Sequence, residues 1–279
     1  MSLFAHQPFS GYLHHWSLER PPFLSGPDFF FSGQPQRETL AALQYFAASD
    51  WKLAFLTAVS RSGISHLLEH MVSMRGLGSC PLDVILTRSN SEGLTAIQQL
   101  GSVLGQGCHD FPVEQMIDTA IQQSDRQGIR TLWFIENCTA STIGVAVDYA
   151  RRHRNFSVVA TTQPDQRSSL QLSAGVCGMQ IELTPLSSED TVAYVDAALK
   201  QAGSKRPIFS ETAITRLHFL SAGLIGDIAV IAESALTTAA CRGLNKITPA
   251  TIDVVVENHN LRCPTKRTVS DDLPAKRVA

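Results

Sequence analysis

The chain lacks any run of apolar residues approaching the ~18 that a membrane span requires. Its first ten residues, Met1 to Ser10, have neither the basic start nor the apolar stretch of an export signal. These absences set the expected location as cytoplasmic. An excess of one charge is missing too: 23 basic and 25 acidic residues leave a net charge of −2, so no global field favours wrapping nucleic acid or lying on an anionic membrane. The six cysteines, Cys80, Cys108, Cys138, Cys177, Cys241 and Cys263, include no Cys-x-x-Cys pair, which removes the usual zinc and thiol-redox signatures and points to reduced thiols. No internal repeat is visible. What is present is 279 residues with 44% hydrophobic content, enough for one large domain and a smaller one, each with a buried core.

Trp16 to Phe23 contains Pro21-Pro22 and cannot be helical there, which predicts an ordered, aromatic-anchored lead-in. From Gln36 to Ala48 apolar residues recur at helical spacing, and Trp51 to Thr57 then reads as a short buried strand. Further strands are predicted at Pro81–Thr87, Thr131–Ile135, Phe156–Thr161 and Ile181–Leu183. Helices at Gly93–Leu104 and Val113–Gln123 fall between them, separated by a glycine-rich turn at Gly105 and Gly107. Strands this apolar, alternating with helices, imply a parallel sheet covered on both faces. After Leu183 the pattern becomes helical throughout, at Ser187–Ala202, Ser210–Ser221, Gly226–Arg242 and Thr248–His259. The expected divisions are an αβα core with its lead-in at 1–185, a helical lid at 186–261 and a polar, flexible tail at 262–279.

Leu53 to Leu68 has the outline of a phosphate-binding strand, loop and helix with its charge removed. In Gly-x-x-x-x-Gly-Lys-[Ser/Thr], backbone N–H groups cradle phosphates, the lysine neutralises them and the hydroxyl holds Mg²⁺. Here Ala58 stands at the first glycine, Gly63 at the second, Ile64 at the lysine and Ser65 at the hydroxyl, with Ser60, Arg61 and Ser62 between.

Pro-Pro-Phe in the lead-in, Phe29-Phe30-Phe31 followed by Gln36 to Leu43, the loop itself, Thr161-Thr162-Gln163-Pro164-Asp165 and Leu183 to Val195 together resemble the general secretion pathway protein A (ExeA-type) ATPases of the AAA+ class. The resemblance covers nearly the whole chain except the tail. It implies an α/β P-loop core of three layers, with a parallel sheet, followed by a small all-helical lid. It also implies where chemistry would sit, and four positions depart from the family. Ile64 replaces the lysine; the strand-ending Asp-Glu pair appears as Glu136-Asn137; the lid's Pro-Arg appears as Ile225-Gly226, and Ala174 to Gly178 carries no arginine. Thr162, Gln163 and Gly226 occupy the family's nucleotide-sensing positions. Phosphoryl transfer is mostly positioning and charge neutralisation, so the resemblance with these changes implies a non-catalytic scaffold or regulatory partner. On that reading no cofactor and no metal are expected, and the partners are proteins, either further copies or active AAA+ relatives. The location implied is cytoplasmic or peripheral at the inner membrane. A nucleotide-switched protein using ATP or ADP with Mg²⁺, and a DNA-transposition-type AAA+ regulator, are the alternatives.

His66 and His70 share one predicted helix face with Glu69, but in an order unlike His-Glu-x-x-His, and a solvated face is expected. Arg151-Arg152-His153-Arg154 is the densest basic cluster and is expected to be solvated.

Overall fold

In the computed structural model of the chain, residues 10–23, 29–74, 82–88, 95–104 and 112–258 are described. The expected tail, the turn at Gly105 and Gly107, and Cys80, Cys108 and Cys263 lie outside the described residues. Strands β1 (Leu53–Ala58), β2 (Leu82–Arg88), β3 (Arg130–Glu136), β4 (Phe156–Thr162) and β5 (Met179–Leu183) form one sheet in the order β2-β3-β4-β1-β5. Every neighbouring pair is parallel. β1 and β4 are buried along their whole length. That is why they read as largely apolar runs with small hydroxyl residues among them rather than as alternating ones.

Side-chain alternation divides the core in two. Phe55, Trp133, Ile135, Val158 and Ala160 face a cluster completed by α4 (Ala96–Leu104), α5 (Val113–Arg126), α6 (Ala140–Arg152) and α7 (Arg167–Ala174). Ala54, Leu56, Leu132, Phe134 and Val159 face α2 (Gln34–Ala48) and α3 (Ile64–Ser73) on the other side. The three-layer αβα core predicted from the strand pattern is therefore present, with α6 and α7 as elements that the pattern did not reveal. Buried Trp133 donates its indole N–H to Thr87 Oγ1 at 2.9 Å, so its polar atom is satisfied inside the core. Arg130, at the start of β3, donates to the carbonyls of Ala47 and Trp51 at 2.7 and 3.0 Å, and also to that of Ser49. A cation there meets the negative end of α2 and fixes the turn leading into β1.

The chain forms two compact units, one of residues 25–194 with 224–226, the other of 1–24, 195–223 and 227–279. The division differs from the boundary expected at 185. It falls inside α8 (Ser188–Gln201), between Tyr194 and Val195. Ser187-Ser188 does start a helix, but the first turns of that helix serve the sheet unit: Asp190 accepts from the Gln34 backbone N–H at 3.1 Å, and Tyr194 packs on Phe29 and Phe31. A helix-start signal marks an element and carries no information about where a unit ends.

The lead-in was expected with the sheet and is found with the helical unit. It opens as a helix, α1 (Ser10–Trp16), and continues to Phe23. The other helices here are the later part of α8, α9 (Glu211–Ser221), α10 (Ile225–Cys241) beyond Gly226, and α11 (Pro249–Asn258). Trp16 donates its indole N–H to Leu236 O at 2.9 Å, the His15 imidazole meets Leu244 O at 2.8 Å, and Phe23 sits edge-on to Phe209. Glu19 N–H donates to Ala202 O at 2.8 Å. The aromatic residues of the lead-in thus anchor on α10 and the segment before α9, contacts that local sequence could not specify.

The hydroxyl of Tyr12 donates to Glu233, whose other oxygen accepts from the Phe23 N–H at 3.2 Å. Burial, reinforced by this carboxylate, holds the Tyr12 phenol well above its ordinary value. The folded protein therefore keeps a proton that the unfolded chain loses near pH ~10, and stability from this group is present below that pH and lost above it. Urea unfolding at pH 9 and pH 11 checks this. The wild-type midpoint is expected to fall more between the two pH values than that of Tyr12→Phe.

Candidate functional site

Gly63 is the N-cap of α3 and has φ +88°, a left-handed conformation that glycine adopts without steric cost. A second constraint acts there: a Cβ on Gly63 would lie 2.6 Å from the Ile225 side chain. Ile225 and Gly226 begin α10 and belong to the same compact unit as the loop. The backbone N–H of Gly226 donates to Arg61 O at 2.9 Å, and the Arg61 guanidinium donates to Gly226 O at 2.8 Å. Arg61 itself has φ +67°, costly for a residue with a Cβ, and this reciprocal pair of bonds holds it there. Ser62 N–H closes back on Val59 O at 3.1 Å. The loop between β1 and α3 is thus bonded to its own chain on both sides.

The helix after the loop presents three different faces. Ile64, at the expected lysine position, packs against the apolar cluster between the sheet and α2 and α3. Ser65 and Glu69, four residues apart, point to the carboxyl ends of β2 and β3. Ser65 donates its hydroxyl to Glu136, Arg88 Nε donates to the other Glu136 oxygen at 2.7 Å, and an Arg88 terminal nitrogen pairs with Glu69. Arg88 and Glu136 are partners in the β2–β3 register, so the sheet itself sets this contact. The Glu136 side chain is only 7% exposed, whereas Arg88 is 46% exposed. Hydrogen bonds to Glu136 and then to Glu69 raise the Arg88 pKa above its ordinary value. His66 and His70 form the third face. The expectation of a solvated face is corrected here, because His70 stacks flat on Phe30 at 3.8 Å and His66 meets the same ring edge-on. Burial, then neighbouring His66, lowers the His70 pKa and favours its neutral form. Phe30 accordingly anchors α3.

Ala58 ends β1 and is buried, and Ser60 is exposed. Asn137 follows Glu136 with φ +53° and donates its backbone N–H to Thr161 Oγ1 at 3.0 Å. Thr162 ends β4 beside Thr57 of β1, and Gln163 follows it. Together with Asn137, Thr139, Gln166 and Leu170 they line a cleft of about 320 Å³ beside α6 and α7, on the opposite face of the sheet from α3. Among the loop residues, Ser62 carries a buried hydroxyl oxygen with no hydrogen-bond partner. Among the described residues, no group of three His, Cys, Asp or Glu side chains is placed to hold a metal ion. As placed, the side chains do not fit magnesium and a triphosphate. The Ser65 hydroxyl is given to Glu136, Glu136 is given to Arg88, and the Arg61 guanidinium is turned to Gly226.

Sequence reasoning missed Arg88 and named Glu69 only beside His66 and His70, not as an Arg88 partner. Arg88 ends a strand, and only the pairing of β2 with β3 reveals that it stands opposite Glu136. The basic cluster at the end of α6 was expected to be solvated, but three members meet acids: Arg152 and His153 pair with Asp118 at 3.0 and 2.8 Å, and Arg151 with Asp148 at 4.0 Å. Arg152 also lies over the Tyr149 ring at 4.4 Å. Asp118 comes from α5, which local composition could not have joined to this cluster.

The chain is similar to the archaeal ORC2 protein of Aeropyrum pernix, solved as ADPNP–ADP complexes, with a TM-score of 0.62 and 10% identity over 86% of this chain and 71% of that one. It is similar to Drosophila ORC bound to DNA at TM-score 0.62 and 14% identity, over 93% and 70% of the two chains. A third neighbour is the Thermotoga maritima RuvB Holliday junction branch migration motor, at TM-score 0.53 and 14% identity over 85% and 73%. The fold is that of the AAA+ P-loop proteins. In sequence, the chain is 25% identical over 263 residues to general secretion pathway protein A of Aeromonas hydrophila, covering 85% of the chain. It spans 46% of that relative's length. No family model matches the chain. No helix among the described residues is long and apolar enough to cross a membrane.

Gly63→Ala tests how tightly the loop is closed, because the new methyl meets both the positive φ and Ile225. A loss of about 1–3 kcal/mol is expected. Gly128→Ala, at φ +69° with nothing within 4 Å of its added Cβ, supplies the strain without the clash. Urea denaturation of both is expected to show the larger loss at Gly63.

Proposed function

We propose that this chain is a non-catalytic AAA+-type protein that serves as a scaffold or regulatory partner in a secretion- or cell-envelope-associated assembly. One observation carries the reading: the loop that would cradle phosphates is hydrogen-bonded to the start of α10 through Arg61 and Gly226. Two further features support it. Ile64 brings no positive charge to the loop and packs into the core, and Asn137 follows the acid that ends β3, where a carboxylate would be needed to polarise water. Phosphoryl transfer relies on charges positioned around the transferring group, and in this chain those positions hold neutral residues or residues already paired with one another. Function then resides in surfaces that meet other proteins, with further copies of this chain or active AAA+ relatives as the partners. The similarity to general secretion pathway protein A supports a place at the cytoplasmic side of the inner membrane.

A second reading is favoured by one specific observation. The unpartnered, buried Ser62 hydroxyl lies in a loop that leads to the N-terminus of α3, and helix N-termini attract anions. On that reading the protein binds ATP or ADP as a switch without hydrolysing it. A DNA-binding role like that named for the Drosophila neighbour draws less support, since Arg152 and His153 in the densest basic cluster are already paired.

Calorimetric titration of nucleotide-stripped protein with ATP and with ADP, each with Mg²⁺, separates the two. No heat of binding up to millimolar nucleotide is the expected result. Micromolar affinity would overturn the scaffold reading in favour of the switch.

A further inference from the structure

The structure assigns to Arg88 a role as a resident cation: its guanidinium supplies, from within the chain, the positive charge that a divalent ion would bring to Ser65 and Glu136, and so excludes that ion. This rests on the reading of the loop as a former phosphate-binding element, and it concerns the metal position alone.

Three oxygen-bearing groups converge at the carboxyl ends of β2 and β3: the Ser65 hydroxyl, the Glu136 carboxylate and the Glu69 carboxylate. Hard oxygen donors of this kind suit magnesium or manganese. Their arrangement is nevertheless organised around Arg88. Nε addresses Glu136 at 2.7 Å, and a terminal nitrogen addresses Glu69. The planar fork of arginine spans two carboxylates at once, which a compact ammonium cannot do.

Competition between the two cations favours the guanidinium for a physical reason. Arg88 is tethered by β2 in register with Glu136, so its local concentration is fixed by the fold, whereas a free ion must arrive from solution and shed part of a tightly held water shell. Glu136 is nearly buried and would be costly to leave without a partner, and Arg88 meets that need permanently. The half-exposed Arg88 side chain also lies where an ion would approach from solvent.

Direct Mn²⁺ titration without nucleotide, read by electron paramagnetic resonance, tests the assignment on wild type, Arg88→Met and Arg88→Met/Glu136→Gln. The expected pattern is no binding to wild type at millimolar Mn²⁺, at least about a tenfold gain in Arg88→Met to a Kd in roughly the millimolar range, and loss of that gain in the double variant. Binding to wild type equal to that of Arg88→Met would overturn the proposal, as would a folded Arg88→Met that stays silent. Should Arg88→Met fail to fold, the wild-type protein still decides the matter. Its Arg88 Nε–H resonance is expected to persist unbroadened in millimolar Mn²⁺, and selective broadening would refute the exclusion. Because no nucleotide is present, these outcomes are independent of whether ATP binds the loop.

Discussion

Because every strand of the sheet runs the same way, all five carboxyl ends lie along one edge, and whatever follows or ends a strand there is brought into company that sequence distance would not suggest. β1 delivers its loop to this edge, β3 delivers Glu136 and β2 delivers Arg88. A parallel sheet survives only if both faces are covered. The apolar clusters under α2 and α3 on one side, and under α4 to α7 on the other, therefore decide indirectly where the polar groups of the edge must stand. A slip of one residue between β2 and β3 would turn Arg88 to the opposite face and leave Glu136 nearly buried without its cation.

At that edge the polar groups satisfy one another. Arg61 and the backbone of Gly226 exchange hydrogen bonds, Ser65 and Arg88 share Glu136, and Glu69 takes the remaining side of the guanidinium. Networks of this kind are stable when complete, since each buried or half-buried charge finds a partner without help from a ligand. The glycines at 63 and 226 make the closure possible. A methyl group at either would press on Ile225 or on the Arg61 carbonyl, respectively.

Much of the architecture was legible in the sequence because it rests on patterns that are local and periodic. The predominantly apolar runs at β1, β3 and β4 announced a sheet buried on both sides, and the Gly63–Ser65 step marked the turn into a helix. What escaped was set by pairing between distant segments. Arg88 looks like the polar end of a strand until its register opposite Glu136 is known, and His66 and His70 look like a wet helix face until Phe30 is laid over them. The lead-in was legible as ordered and aromatic, yet its docking on α10 depends on carbonyls at Leu236 and Leu244, more than 200 positions away. The strand read at Phe156–Thr161 runs one residue further, to Thr162, whose side chain lines the cleft beside α6 and α7.

The close approach at Gly226 bears on how such a chain can change over generations. A Cβ at 226 would stand 3.0 Å from the Arg61 carbonyl oxygen, and one at 63 would stand 2.6 Å from the Ile225 side chain. Each change at one of these positions is thus met by residues that have settled around the others. Variation then has room at the exposed Ser60 and little at positions 61, 63, 225 and 226.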